Sequence, residues 1–298
     1  MLLNKIVVTN YGENSLSILD KKDLSHVKTL DLKTIIPSKT GSTRVLAEDN
    51  YYLLILNSDE DSLYRVDVSN GRLLNQLSLG RCPVRIKTLG DRIYVLNIDS
   101  NSLSIIDKVD FTVVENIYVG EKPTDLAVDE VTGKVFITNL NSYSISIIDH
   151  DNGNMEEIKL SFMPFRIKVE MGTIYVLGFL NNNSLGHSVL SSFDPIEKKS
   201  KMSKIISGIY FDFIKPKGKE YFYLVDSENS WLYGFDGVSE INNRLIYIGG
   251  LTNYLNYEEK NLYLNDMVNN QIVIVDTEIN QIKKRITVGI EPHDILLT

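Results

Sequence analysis

The sequence predicts an all-β fold, a seven-bladed β-propeller with four antiparallel strands per blade, and three observations predict it. First, a segment such as "GEKPTDLAVDEVTGKVFITNLNSYSISIID", Gly120 to Asp149, recurs along the chain at a period of roughly forty residues, the mark of a repeat architecture. Second, an aspartate closes the same strand of every unit, at Asp20, Asp67, Asp107, Asp149, Asp194, Asp236 and Asp276, with spacings of 40 to 47 residues. Third, each unit holds four runs rich in Val, Ile, Leu and Tyr, separated by Asn, Asp, Ser and Gly turns and without helical periodicity. Four short antiparallel strands per repeat make a propeller blade.

The elements follow in a fixed order: an apolar inner strand after Gly-x-x-Pro, a turn, a second strand, a polar hairpin, a third strand ending on aspartate, and an alternating outer strand. The second strand reads "KIVVTN", "YLLILN", "RIYVLN", "KVFITN", "TIYVLG", "YFYLVD" and "LYLND". The chain begins at a second strand and ends on an inner one, "PHDILLT". Pro292 to Thr298 are therefore expected to pair with Lys5 to Asn10, closing a ring without free edges. The expectation is one domain over residues 1–298, its first blade shared by residues 1–40 and 291–298. The fifth and sixth units depart from the pattern: Gly178 replaces the strand-ending Asn, "GFLNNNSLGHSVL" is a longer turn, and Gly-x-x-Pro is lost at Gly208.

The text "GRCPVRI", "GEKPTDL" and "GIEPHDI", followed by "VVTN", "YVLN" and "FITN" and then "SILD" and "SIID", resembles the YVTN family of seven-bladed β-propellers over nearly the whole chain. The resemblance implies the fold. It leaves function open, since the family is similar to surface-layer proteins, periplasmic binding proteins, enzyme subunits and lyases. Lyases of this fold place a histidine and a glutamate about a metal at the channel mouth; His293 is the comparable residue, and no metal partners are assigned to it.

Most recurrent residues are read as scaffold. Asn10, Asn57, Asn97, Asn139, Asp226 and Asp266 end second strands, where Asn and Asp side chains bond their own backbone in the following turn. The seven strand-ending aspartates are turn caps, because no single catalytic role is needed seven times. More informative is the position two residues after the proline or its equivalent: Arg44, Arg85, Asp125, Arg166, Asp212, Tyr254 and Asp294. The fold places these around the channel mouth, with signs mostly alternating. They form either a self-neutralising collar or a site where Arg forks hold a carboxylate or phosphate. Lys87 and Lys168, two positions further in, tilt one side positive. The sharpest expectation is a small anion between Arg44, Arg85 and Arg166, supported by Lys87, with Asp125 and Asp294 orienting the guanidinium groups.

The same face carries acidic turns, among them Asp59, Glu60 and Asp61, and Trp231 opens its strand beside a turn. These four are the candidate contacts for a protein partner. The "NSDEDS" turn lacks the glycine and distal glutamate of a calcium loop.

Enzyme signatures are sparse. His26 and His150 fall in turns on the opposite face and read as exposed, whereas His187 and His293 lie on the mouth face in well-separated blades, short of a zinc set. There is no Gly-rich phosphate loop or Gly-x-Ser-x-Gly elbow. The expectation is a non-catalytic binding or scaffold propeller, with no cofactor or metal, presenting the mouth face to a protein or small anion. The alternative is a lyase or hydrolase acting at the mouth.

A net charge of −8 argues against nucleic acid, which needs a basic face. The lone Cys82 excludes an intrachain disulfide framework, the N-terminus enters a strand without a leader-like pattern, and no run approaches the roughly twenty apolar residues of a membrane span. A cytoplasmic location is the corresponding expectation.

Overall fold

A computed structural model describes residues 2–37, 41, 44–180, 186–219, 221–226, 228–237 and 243–298. It is all-β: seven four-stranded antiparallel sheets, the blades of a ring, with two 3-10 turns, Tyr11–Glu13 and Leu32–Thr34, among the described residues. Part of the long turn expected after Gly178, residues 181–185, lies outside the described residues.

The strand sequences account for the layering. A second strand such as Tyr52–Asn57 is buried at every position after its first, because blades pack against both faces of it. The outer strands Arg72–Ser78 and Thr112–Tyr118 bury nothing fully and turn only two positions inward, and others such as Gln281–Thr287 bury a single residue, so outer strands tolerate polar residues along most of their length. Apolar alternation therefore fades outward within each blade.

The chain divides into two compact units. The first comprises Met1–Cys82, Val225–Tyr233 and Arg244–Thr298. In it, Pro292–Leu297 pairs with Lys5–Asn10 in the register Ile6 to Leu297, Val7 to Leu296 and Val8 to Ile295, so one blade draws on both ends of the chain as expected. The neighbouring sheets start at the inner strands Arg44–Ala47 and Leu255–Glu258. Val7, Ile18, Val45, Ile55 and Tyr64 pack in one apolar layer of this unit, and Ile6, Leu19, Tyr263, Ile274 and Ile295 in another.

The second unit comprises Pro83–Leu224 and Gly234–Asn243. Its three complete sheets start at the inner strands Pro83–Leu89, Pro123–Asp129 and Met163–Glu170. Leu96, Leu103, Leu126 and Ile137 form one of its cores, and Phe136, Ile147, Ile167 and Val189 the next. The remaining sheet runs Asp212–Ile214, Phe222–Asp226, Trp231–Phe235 and Asn243–Tyr247.

The strand-ending aspartates cap the following turns: Oδ1 of Asp67, Asp107, Asp149 and Asp194 each accepts two backbone N–H groups, those of the second and third residues beyond it. The residues ending second strands split into two classes. Asn57, Asp226 and Asp266 bond their own turns, as expected. Asn10, Asn97 and Asn139 do not, which corrects that expectation. Their Nδ2 atoms instead donate across the hairpin to a Ser-x-Ser pair on the third strand, Asn139 to Ser144 at 3.3 Å and Ser146 at 2.9 Å. Asn10 meets Ser15 and Ser17, and Asn97 meets Ser102 and Ser104, in the same way. All of these serines but the half-buried Ser102 are buried beside them, so the amide finds partners without its own turn.

This lock also explains the glycine of Gly-x-x-Pro. A Cβ at Gly120 would lie 2.6 Å from Cγ of Asn139, and one at Gly289 would lie 2.5 Å from Cγ of Asn10. No side chain fits there while the asparagine stays.

Candidate functional site

In the inner strands at Pro83, Pro123 and Pro164 the proline and the charged residue two positions on are separated by a β-bulge. Pro83 faces Asn97 and Arg85 faces Leu96; Pro123 faces Asn139 and Asp125 faces Thr138; Pro164 faces Gly178 and Arg166 faces Leu177. One extra residue in each, Val84, Thr124 or Phe165, is displaced from the ladder. Such bulges re-aim side chains, and here they set the recurrent charged position at the strand start.

In the second unit this position forms a charged arc over Arg85, Asp125, Arg166 and Asp212. Arg85 Nε donates to Asp125 Oδ1 at 2.6 Å, and Asp125 Oδ2 accepts the backbone N–H of Ile167 at 3.0 Å. Burial by itself would raise the Asp125 pKa; the charges of Arg85, Arg166 and Lys168 outweigh it and hold the carboxyl well below its usual range. Asp212, fully buried, has Arg166 Nε at 3.9 Å and Lys168 Nζ at 3.8 Å. Lys168 is the more accessible of these cations, its side chain 36% exposed, and Lys87 is exposed. Four cations, Arg85, Lys87, Arg166 and Lys168, thus stand with two carboxylates.

In the first unit the position is held by Asp294, Arg44 and Tyr254. Asp294 Oδ2 accepts the backbone N–H of Val45 at 3.0 Å, its own N–H donates to Thr9 Oγ1, and Arg44 Nη1 lies 3.8 Å from Oδ1. The Arg44 guanidinium sits over the Tyr254 ring at 5.6 Å. His293, between Pro292 and Asp294 where the register shifts, stacks on Tyr11 with ring centroids 5.2 Å apart. Tyr11 in turn donates to Asp59 Oδ2 at 2.6 Å, and that bond, with burial and the Asp59 charge, raises the tyrosine pKa.

The four partner candidates are built into local structure to different degrees. Asp61 Oδ1 accepts the Cys82 N–H at 2.7 Å, Asp59 holds Tyr11, and Tyr64 Oη lies 3.5 Å from Glu60 Oε2. Trp231 is half-buried, 5.5 Å from Tyr247 between ring centroids, with Arg244 over its face at 5.5 Å.

His150 is not the exposed residue expected. Its Nδ1 lies 2.7 Å from the hydroxyl of Tyr94, a buried ring whose pKa burial pushes up to about 12. Tyr94 therefore stays protonated, and the histidine tautomer sets which of the two groups donates. Sequence spacing gave no sign of this pair, since 56 residues separate its members.

A metal of the kind used by lyases of this fold finds no fitting donor set at His293. The carboxylate of its neighbour Asp294 is turned to Val45 and Arg44, and no group of three His, Cys, Asp or Glu residues suited to a metal occurs among the described residues. No described helix is long and apolar enough to cross a membrane.

The class that the fold defines is a seven-bladed β-propeller, with charged residues at inner strand starts in each unit. No family model matches the chain, and no curated protein does. Among solved structures it is similar to hydrazine synthase of Kuenenia stuttgartiensis, at TM-score 0.73 and 15% identity, covering 85% of this chain and 88% of that one. It is also similar to AztD of Citrobacter koseri, at TM-score 0.67 and 11% identity, covering 98% and 96%. A third is the dihydro-heme d1 dehydrogenase NirN in complex with DHE, at TM-score 0.67 and 12% identity, covering 100% and 75%. Likeness at such identity carries the fold alone.

Proposed function

We propose that the chain is a non-catalytic binding propeller of the YVTN-repeat type whose inner strand starts take a small anion on the arc Arg85, Lys87, Arg166 and Lys168. The observation that supports this reading is the imbalance around Asp125 and Asp212. Each carboxylate is shared between cations, and Asp125 spends one oxygen on the Ile167 backbone, so the arc retains excess positive charge. Buried carboxylates in these positions keep the guanidinium groups from collapsing elsewhere, which preorganises donors for a carboxylate or phosphate. Protein display through the hairpin tips is the weaker part of the reading, since Asp59 and Asp61 already serve contacts within their own unit.

A thermal-shift panel of acetate, benzoate, citrate, inorganic phosphate and phosphorylated sugars tests it on wild type and Lys168→Ala. The reading expects at least one anion to raise the melting temperature of wild type, and less so that of the variant. No response from any anion would make the arc a structural collar.

A further inference from the structure

The anion-binding arc adjoins an aromatic corner that charge alone does not explain. Phe165, the residue displaced by the bulge, has its ring centroid 5.3 Å from that of Phe179 and 6.0 Å from that of Phe211. Phe179 and Phe211 are 6.3 Å apart. The planes meet at 43°, 84° and 59°, so the rings form walls rather than a stack. All three are half-buried, in contrast to the core phenylalanines Phe136, Phe213 and Phe222.

The charged arc and the corner are covalently adjacent. Phe165 precedes Arg166, whose guanidinium carbon lies 4.1 Å from the Phe165 centroid, and Phe211 precedes Asp212, which both Arg166 and Lys168 approach. The cation covering Phe165 leaves Phe179 and Phe211 as the ring faces for a guest. A flat ring placed there meets one face broadside and another edge-on, the geometry aromatic pairs prefer. Its acidic substituent would then be within the field of Lys168 and Arg166.

Resting on the anion reading above, we infer that the preferred ligand is an aromatic anion, a planar ring bearing a carboxylate or phosphate. The acid binds at Arg166 and Lys168, and the ring seats against Phe179 and Phe211. Simple inorganic anions bind the same cations but leave the corner unused.

Isothermal titration of wild type with benzoate and with acetate separates the two layers of the argument. Benzoate is expected to bind about threefold to tenfold more tightly, the range an aromatic contact contributes. Phe211→Leu, which keeps an apolar side chain without a ring face, should abolish that preference while leaving acetate unchanged. Transferred NOEs from benzoate to phenylalanine ring protons give the same answer in wild type should the variant fold poorly. Equal affinity for both acids would overturn the aromatic assignment and leave the anion reading standing. A benzoate preference that survives in Phe211→Leu would overturn it too. Failure of both acids and of phosphate to bind would remove the anion reading and this inference with it.

Discussion

Arg85 and Asp125, forty residues apart in sequence, meet through an Nε to Oδ1 hydrogen bond of 2.6 Å, and the second oxygen of Asp125 takes the N–H of Ile167. One side chain thus ties three successive inner strands of its unit together. Asp294 links two strands rather than three, since its partners Arg44 and the N–H of Val45 are neighbours on one inner strand. Asp125 and Asp294 are thus structural clamps, each within its own unit, and the proposed anion site rests on the cations of the second unit.

Removing a clamp strands its partners. Asp125→Ala leaves the Arg85 guanidinium, 13% exposed, without its closest carboxylate and the Ile167 N–H without its acceptor. A loss of about 3 to 5 kcal/mol is expected, as for breaking one side of a buried pair. Urea denaturation checks it; a loss under about 1 kcal/mol would show the pair to be dispensable. For the same reason Arg85→Lys is a poor probe of anion binding, because it disturbs the clamp as well as the fork.

The glycine and asparagine of the blade lock should be energetically coupled. Gly120→Ala drives a methyl into Asn139 and is expected to cost about 1 to 3 kcal/mol. In an Asn139→Ala background the same change should cost at least about 1 kcal/mol less, since the two closest atoms, Cγ and Nδ2, are gone and only the Cβ at 2.9 Å remains. Additive losses in the double-mutant cycle would refute the steric account of Gly-x-x-Pro.

Deleting residues 292–298 removes an inner strand paired with Lys5–Asn10 and takes Asp294 with it. Second-strand N–H and C=O groups that the sheet now satisfies become an open edge. The truncated chain is expected to lose its cooperative thermal transition or to aggregate. A melt indistinguishable from the full chain would contradict the role given to this strand.

Acid should destabilise the protein through its turn caps. Asp67 is depressed from 3.8 to about 2 by hydrogen bonds from Ser69 and Asn70, and Asp20, Asp107, Asp194 and Asp276 are lowered as well. A carboxyl with a depressed folded pKa stabilises above its unfolded value and loses that contribution as pH falls through the folded one. The melting temperature should therefore vary little on account of these groups between pH 7 and 5, and fall from about pH 4 toward 2. Asp67→Asn should shallow that fall.

The blade count, the shared first blade and the aspartate turn caps were legible because each repeats in phase, so seven copies average out local noise. The position two residues after proline was legible for the same reason, although the bulge that sets it there was not. What the sequence concealed is non-periodic. The Ser-x-Ser partners of Asn10, Asn97 and Asn139 occur in three units only, and the corner of Phe165, Phe179 and Phe211 is assembled once from three strand ends. The Tyr94 and His150 hydrogen bond likewise joins two blades across 56 residues of sequence. Such contacts depend on tertiary proximity, which periodicity does not encode.

The most direct measurement of the central claim is isothermal titration of inorganic phosphate into wild type and Lys168→Ala at low ionic strength. Lys168, 36% exposed and 3.8 Å from Asp212, adds charge to the arc without anchoring a strand. Wild type is predicted to bind, with an affinity that falls as salt is raised, and the variant to bind about threefold or more weakly, as loss of one partly screened charge contact implies. Identical binding by the two proteins, or no heat from wild type, would contradict the account.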